Sequence, residues 1–293
     1  MKNSLDHLPA VKRDELAQVV QTLRASIDDL EMAILFGSYA RGDYKEKKDL
    51  KEDRWSGHVS DYDILVVTGE HAAAENTELS HQVAEQCLAL GLSATVRLIL
   101  HDIQDVNIQL AEDQYFFGDI KKEGCWLYNS GRFTLAGPRE LTPLEKQRIA
   151  QDHFDYWFEN GQSFFKNYEF SFGQGDYRIS AFHLHQAAEA AYKTILLVFT
   201  NYSPDEHYLS LLERRAAKHH APLSEVFPKD TSHELHCFEQ LDLAYIGARY
   251  QPRWRITKEE LEHLGPCVRR LLDVTEEICL NKIQNHGLDG KRA

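Results

Sequence analysis

The spacing of apolar positions divides the chain into two halves of different character. Up to about residue 135, stretches with helical spacing alternate with short apolar runs that are typical of strands. After Phe133 the strand-like runs disappear and long helical patterns follow. The pattern predicts an α+β domain with a small mixed sheet, followed by an all-α helical bundle.

Each predicted element of the first half is marked by a few residues. Strands are predicted at Ile34–Phe36, Asp61–Val67, Thr95–Leu100 and Cys125–Tyr128. The opening helix is predicted from Leu16, Val19, Val20, Leu23, Ile27 and Leu30, and a second helix from Leu79, Val83, Cys87 and Leu90, with Gly91 as its stop. Two shorter helices are predicted near Asp105–Leu110 and at Tyr115–Lys122.

A linker at Gly137-Pro138 separates the halves and predicts domains at residues 1–137 and 138–293. In the second half, Thr142 with Glu145 predicts a capping box that begins a helix. A second long helix is expected at Asp176–Phe199.

A further capping box, Thr257 with Glu260, predicts the start of the last helix. Gly265-Pro266 is expected to kink that helix. The polar tail from Gln284 is expected to fray.

Composition narrows the range of functions. The net charge of −13 and the isoelectric point near 5.6 argue against a general nucleic-acid binder, which would carry a basic surface. They leave ATP possible, since a metal ion and local arginines can meet its phosphates. The five scattered cysteines have no metal-ligand spacing and are expected to be reduced, mostly buried thiols. No stretch has the length of a membrane span and the N-terminus lacks a signal-peptide core, so we expect a cytoplasmic protein.

The candidate chemistry lies at the ends of two neighbouring strands. Gly37 allows a sharp turn and close approach to a ligand, and Ser38 adds a hydroxyl and an N–H group at the start of a short helix. Because side chains alternate along a strand, Asp61 and Asp63 are expected to point the same way. Tyr62 should point into the core. Two carboxylates beside a phosphate-binding turn form a candidate metal site.

These residues resemble the nucleotidyltransferase superfamily of the DNA polymerase beta type, and more closely its bacterial minimal branch, in which Ala40-Arg41-Gly42-Asp43 follows the Gly-Ser turn. The resemblance implies that Asp61 and Asp63 hold Mg²⁺ and that Gly37 and Ser38 hold the terminal phosphates of a nucleoside triphosphate. Arg41 is a further candidate for binding a phosphate. The implied reaction transfers a nucleoside monophosphate, AMP from ATP in the first instance, to an unknown acceptor hydroxyl.

The helical half resembles the HEPN family, through Ala181–Glu189 and Ala244–Tyr250. The similarity is to the branch that carries both domains in one chain, in which a charged insertion, here Tyr44–Val59, separates the Gly-Ser turn from the two aspartates. A related helical domain follows the nucleotidyltransferase domain of kanamycin-modifying enzymes. The resemblance implies that the helical domain forms one wall of the acceptor cleft and that the protein is a homodimer.

One departure from the superfamily pattern concerns the third carboxylate that it usually places on the next strand. That position holds Arg97 or its neighbours Val96 and Leu98, and a cation would repel a metal ion. Asp102 and Glu123 are the nearest substitutes, and either can instead be a solvated carboxylate. Without a third acid, the domain can act as a nucleotide-binding or toxin–antitoxin-like module with little turnover.

A third reading is a HEPN ribonuclease, which typically uses an arginine and a histidine with four to six residues between them. Arg178 with His183 and Arg214 with His219 have this spacing. Five positions along a helix place the two side chains on different faces, so these matches are weak.

Overall fold

The computed structural model describes residues 1–46, 49, 59–204 and 206–289. Most of the predicted insertion at Tyr44–Val59 lies outside the described residues. The chain divides into two compact units, unit 1 at Met1–Glu140 and unit 2 at Leu141–Ala293, each with its own core. The predicted domain boundary between residues 137 and 138 falls just before this division.

Unit 1 combines a four-stranded sheet with helices. Its helices are α1 (Ala10–Ser26), α2 (Gly37–Arg41), α3 (His71–Ala74), α4 (Thr77–Ala89), α5 (Ile103–Ala111) and α6 (Tyr115–Glu123). Its strands are β1 (Leu30–Phe36), β2 (Tyr62–Thr68), β3 (Val96–Asp102) and β4 (Cys125–Asn129). The strand order is β3-β2-β1-β4, with β1 antiparallel to both neighbours and β2 parallel to β3. The predicted mixed sheet is confirmed.

Helices cover both faces of the sheet. On one face Tyr62, Ile64 and Val66 pack with residues of α1 and α4. On the other face Leu65 and Val67 pack with residues of α5 and α6. The alternation along β2 is therefore the one that the sequence predicts, and it fixes which side of the sheet each polar residue of this strand faces.

All regular secondary structure in the described part of unit 2 is helical. It consists of α7 (Pro143–Gly173), α8 (Tyr177–Thr200), α9 (Leu209–Ala216), a short 3-10 helix (Ala221–Glu225), α10 (Ser232–Tyr250) and α11 (Lys258–Asp289). Both predicted capping boxes are confirmed, since Glu145 and Glu260 accept hydrogen bonds from the backbone of Thr142 and Thr257. A third capping box, formed by Thr231 and Glu234, begins α10.

Two predicted helix ends are wrong. Helix α1 ends at Ser26, and Leu30 begins β1, because its apolar side chain fits a strand register as well as a helical one. Helix α11 continues past Gln284 to Asp289, since Ile283 is buried in the core of unit 2 and holds this turn in place.

The five cysteines are free thiols, and all but Cys267 are buried. Among the described residues, no helix combines the length and the apolar character that crossing a membrane requires.

Candidate functional site

The first part of the candidate site is the turn after β1, where Gly37 and Ser38 begin α2. Gly37 has a φ angle of +70°, in the left-handed region that glycine tolerates best. The antiparallel pairing of β1 with β2 places Phe36 opposite Asp63. A methyl group on Gly37 would lie only 2.6 Å from Oδ2 of Asp63. The turn thus needs glycine for two reasons, its backbone angle and the approach of this carboxylate.

The second part is the start of β2. Asp61 directly precedes the strand and is half-buried, and Asp63 is its second residue, with a side chain that is 19% exposed. Asp63 continues the face of Leu65 and Val67, and Asp61 continues the same alternation. Both residues therefore belong to the entry of β2, and Asp63 lies against the Gly37 turn.

The residue beside Asp63 on the neighbouring strand is Arg97, its Cα partner in the parallel pairing of β2 with β3. Nη1 of Arg97 lies 3.9 Å from Oδ1 of Asp63, and the Arg97 side chain is 69% exposed. The distance is too long for a direct hydrogen bond and is that of a surface ion pair. Val96, Arg97 and Leu98 were the three residues considered for the third-carboxylate position. The one beside Asp63 is Arg97, a cation.

Neither candidate substitute completes a three-carboxylate site. Asp102 pairs with Thr68 at the far end of β3, about 16 Å along the strand from Arg97. There Asp102 caps α5 by accepting from the N–H groups of Gln104 and Asp105, and it lies 2.7 Å from Nδ1 of His71. Its carboxyl group is buried, so it is a helix cap and not a solvated side chain.

Glu123, the second substitute, lies at the end of α6, where its Oε2 is 3.8 Å from Nη1 of Arg41. Arg41 also donates from Nε to Oδ2 of Asp43 at 3.3 Å. The nearby carboxyl of Asp119 has a raised pKa, mainly because it is buried and then because of the negative charge of Glu123. Arg41 therefore lies among acidic side chains, with a side chain that is still 44% exposed.

Among the described residues, the donor set of the candidate site consists of two carboxylates and no third ligand. Within residues 1–46, 49, 59–204 and 206–289, no three Asp, Glu, His or Cys side chains come together in a way that could hold one metal ion. Mg²⁺, however, commonly uses one or two protein carboxylates together with water and substrate phosphates. Two carboxylates, Asp61 and Asp63, are present at the entry of β2, so the chemistry of these residues fits such an ion.

A partly buried polar network lies on the opposite face of the sheet, around the Tyr62 hydroxyl. Glu15 accepts hydrogen bonds from the Tyr62 hydroxyl at 2.6 Å and from Ser93, and Lys12 donates to Ser93 Oγ. Lys12 is also paired with Glu46, 2.8 Å away. The network ties the first described residues of the insertion to α1 and β2.

Unit 2 contains a buried charged cluster that sequence reasoning missed. Glu189 on α8 is 6% exposed. Its Oε1 lies 2.9 Å from Nζ of Lys193 and 3.0 Å from Nδ1 of His207, and its Oε2 accepts from Gln186. Burial acts to raise the pKa of the Glu189 carboxyl, but the hydrogen bond from His207 and the charge of Lys193 outweigh it and lower this pKa to about 2. Glu189 is therefore a buried anion whose oxygens are all used.

His185 is the neutral member of this cluster. It is fully buried. Its Nε2 atom lies 3.0 Å from the carbonyl oxygen of His207, and its Nδ1 atom accepts a hydrogen bond from Gln186 at 3.2 Å. Burial lowers the pKa of His185 to about 4, although the charge of Glu189 acts in the opposite direction. Both ring nitrogens are satisfied in the neutral form.

We expect the stability of unit 2 to fall as pH drops from 6.5 to 4. The unfolded chain takes up a proton on His185 below its ordinary pKa of about 6.5, whereas the folded chain does so only near pH 4, so the unfolded state is favoured between these values. The loss in the free energy of unfolding is on the order of 3 kcal/mol.

This loss is measured by comparing the free energy of unfolding in urea at pH 7 and at pH 4. A His185→Gln variant should show a shallower dependence, and an unchanged slope would contradict this assignment. Glu189, His207 and Arg249 are the charged or titratable groups that act on His185.

An aromatic and cationic layer covers the cluster on one side. The rings of His207 and Tyr245 stack with centroids 4.2 Å apart, and the Arg249 guanidinium lies 3.9 Å from the Tyr245 ring centroid. A cavity of about 110 Å³ opens here. Its lining consists of Glu206, His207, Tyr208, Asp242, Tyr245 and Ile246.

In neither of the two arginine–histidine matches do the arginine and the histidine contact each other in the described part of the structure. Arg178 is exposed, whereas His183 is half-buried against Ser171, Phe164 and Phe182, so the two lie on different sides of α8. In the second match, Arg214 is exposed, and His219 lies against Phe199 with its pKa lowered mainly by burial.

The helical unit matches a known family over most of its length. Residues 154–278 match the HEPN domain family. Unit 2 contains a HEPN domain. No curated protein is significantly similar to the chain.

The two segments that suggested this family meet in the buried cluster of the HEPN domain. Ala181–Glu189 supplies His185 and Glu189, and Ala244–Tyr250 supplies Tyr245 and Arg249. The spacing of these residues gave no sign that they meet, because His207, which joins them, lies in the connection between α8 and α9.

Proposed function

We propose that unit 1 is a magnesium-dependent nucleotidyltransferase domain that binds a nucleoside triphosphate, first of all ATP, and transfers its nucleoside monophosphate to an acceptor hydroxyl. The observation that carries the proposal is the approach of Asp63 to the Gly37 backbone, where any side chain on residue 37 would collide with the carboxylate. A turn without a side chain that lies against one carboxylate, with a second carboxylate two residues earlier in the chain, supports a phosphate-binding backbone beside metal ligands.

Each residue of the site has a role in this proposal. Asp61 and Asp63 hold Mg²⁺, which when bound neutralises phosphate charge and polarises the phosphorus under attack. Gly37 and Ser38 bind the terminal phosphates through backbone N–H groups and the Ser38 hydroxyl. Arg41, with almost half of its side chain exposed, is placed at the end of the same short helix and can reach a phosphate.

The test is transfer of label from α-labelled ATP to components of a cell extract in the presence of Mg²⁺. We expect the double variant Asp61→Asn, Asp63→Asn to lose at least about a hundredfold in labelling, because metal-assisted charge stabilisation contributes several kcal/mol. Asp14→Asn, on the exposed side of α1, is the matched control and should label as the wild type does. Equal labelling by the double variant and the wild type would refute the enzyme proposal.

A second candidate function is nucleotide binding with little turnover, and Arg97 favours it. Where a third carboxylate would activate the acceptor hydroxyl, the structure has a guanidinium 3.9 Å from Asp63. This candidate requires saturable binding of ATP with Mg²⁺ in calorimetry while pyrophosphate release stays at background. Pyrophosphate release that depends on an added acceptor would exclude it.

A further inference from the structure

Arg97 stands out because it is a cation at the centre of a proposed cation site. The registers of β2 with β1 and with β3 place Asp63 between Phe36 at the end of β1 and Arg97 on β3. Its guanidinium lies beside the Asp63 carboxylate that would hold the metal ion. A residue that only repelled Mg²⁺ there would oppose the proposed function.

Arg97 can readily leave its ion pair with Asp63 and bind another anion. At 3.9 Å, with an arginine side chain that is 69% exposed, it is a surface pair of the kind that contributes little to stability. The guanidinium is mostly hydrated and requires little desolvation to move. A triphosphate offers it several charged oxygens and two-point hydrogen bonds, which are stronger than a long contact to one carboxylate.

We propose that Arg97 is a phosphate-binding residue, which pairs with Asp63 in the free protein and contacts the triphosphate when a nucleotide binds with Mg²⁺. The inference rests on the proposed nucleotide site of unit 1 and adds to it the residue that takes the place of the third carboxylate. In the free protein, Arg97 offsets the mutual repulsion of Asp61 and Asp63. In the bound state, it offsets the charge of the triphosphate.

The proposal predicts that one variant weakens the binding of one ligand and not of another. Arg97→Gln should weaken binding of a non-hydrolysable ATP analogue with Mg²⁺ by about tenfold, the size of one lost charge-assisted contact. The same variant should bind Mg²⁺ alone no more weakly than the wild type, because a neighbouring cation has been removed. Both are measured by isothermal titration calorimetry at one fixed ionic strength. A merely structural role of Arg97 would weaken both.

Two further variants sharpen the test. Arg97→Lys keeps the charge without the two-point geometry and should recover part of the nucleotide affinity. Arg13→Gln is the matched control, because Arg13 is an exposed arginine of α1 whose surface ion pair is with Asp6, 3.5 Å away. It should bind both ligands as the wild type does.

The outcomes separate this inference from the function on which it rests. Wild-type protein that binds no nucleotide refutes both the nucleotide site and the role of Arg97. Wild-type binding that Arg97→Gln leaves unchanged or strengthens overturns the role of Arg97 alone. Weakened nucleotide binding together with retained Mg²⁺ binding supports it.

Discussion

Replacing Gly37 by alanine is expected to weaken nucleotide binding and transfer by unit 1 while leaving its fold intact. The added methyl group would lie 2.6 Å from Oδ2 of Asp63, so either the carboxylate or the turn has to move. A displacement of about 1 Å at a reacting site costs on the order of a hundredfold in rate, and we expect a similar loss in nucleotidyl transfer. Binding of an ATP analogue with Mg²⁺ should weaken by tenfold or more, as roughly one charge-assisted contact is lost.

Backbone strain has to be separated from this collision. Alanine at a φ angle of +70° costs about 1 to 2 kcal/mol wherever it occurs. Gly91 is a matched control, because its φ angle is +65° and a methyl group there would meet nothing within 4 Å. Gly91→Ala should lower the melting temperature about as much as Gly37→Ala and leave nucleotide binding unchanged.

Calorimetry and thermal unfolding of the two glycine variants decide the matter. If both Gly37→Ala and Gly91→Ala bound the analogue as tightly as the wild type, the approach of Asp63 to the turn would have no part in nucleotide binding. If both variants bound it equally more weakly than the wild type, a general weakening of unit 1 would be the cause.

Local patterns were enough to predict most of the fold. Alternation along β2 assigned Tyr62 and Leu65 to opposite faces, and the capping boxes at Thr142 and Thr257 marked helix starts, because these signals act over a few residues. Leu30 was assigned wrongly because an apolar residue between a helix and a strand fits both periods.

Contacts between distant residues could not be predicted in the same way. The sequence showed that the usual third-carboxylate position on the next strand holds no acid, but only the pairing register identifies Arg97 as the neighbour of Asp63. Asp102 looked like an accessible substitute because its role as the cap of α5 depends on where β3 ends. The predicted roles of Asp61, Asp63, Gly37, Ser38 and Arg41 stay predictions until nucleotide binding is measured.

Replacing Glu189 by alanine is expected to lower the free energy of unfolding of the HEPN domain by about 3 to 5 kcal/mol, the cost of leaving a buried charge without its partner. Lys193, only 7% exposed, would lose the carboxylate 2.9 Å from its Nζ. His207 would lose the acceptor of its Nδ1 group. The cluster would also release Gln186, which links Glu189 to His185.

Hydrogen exchange of the α8 amides, measured as a function of urea concentration, reports this loss in unit 2 separately from unit 1. Glu169→Ala is the matched control, since the exposed Glu169 lies 3.7 Å from an equally exposed Arg269 and should contribute less than about 1 kcal/mol. A Glu189→Ala loss as small as that of the control would show that the cluster does not hold the domain together.

A double-mutant cycle then separates charge pairing from packing. Glu189→Gln keeps the volume of the side chain, and Lys193→Met removes the charge while keeping most of the stem. Each single change leaves one buried charge uncompensated, whereas the double change removes both charges of this pair. We therefore expect the double variant to be more stable than the sum of the two losses predicts, by about 1 to 3 kcal/mol. Strict additivity would mean that Glu189 is held mainly by His207 and Gln186, and that Lys193 contributes through its apolar stem, near the Trp157 ring.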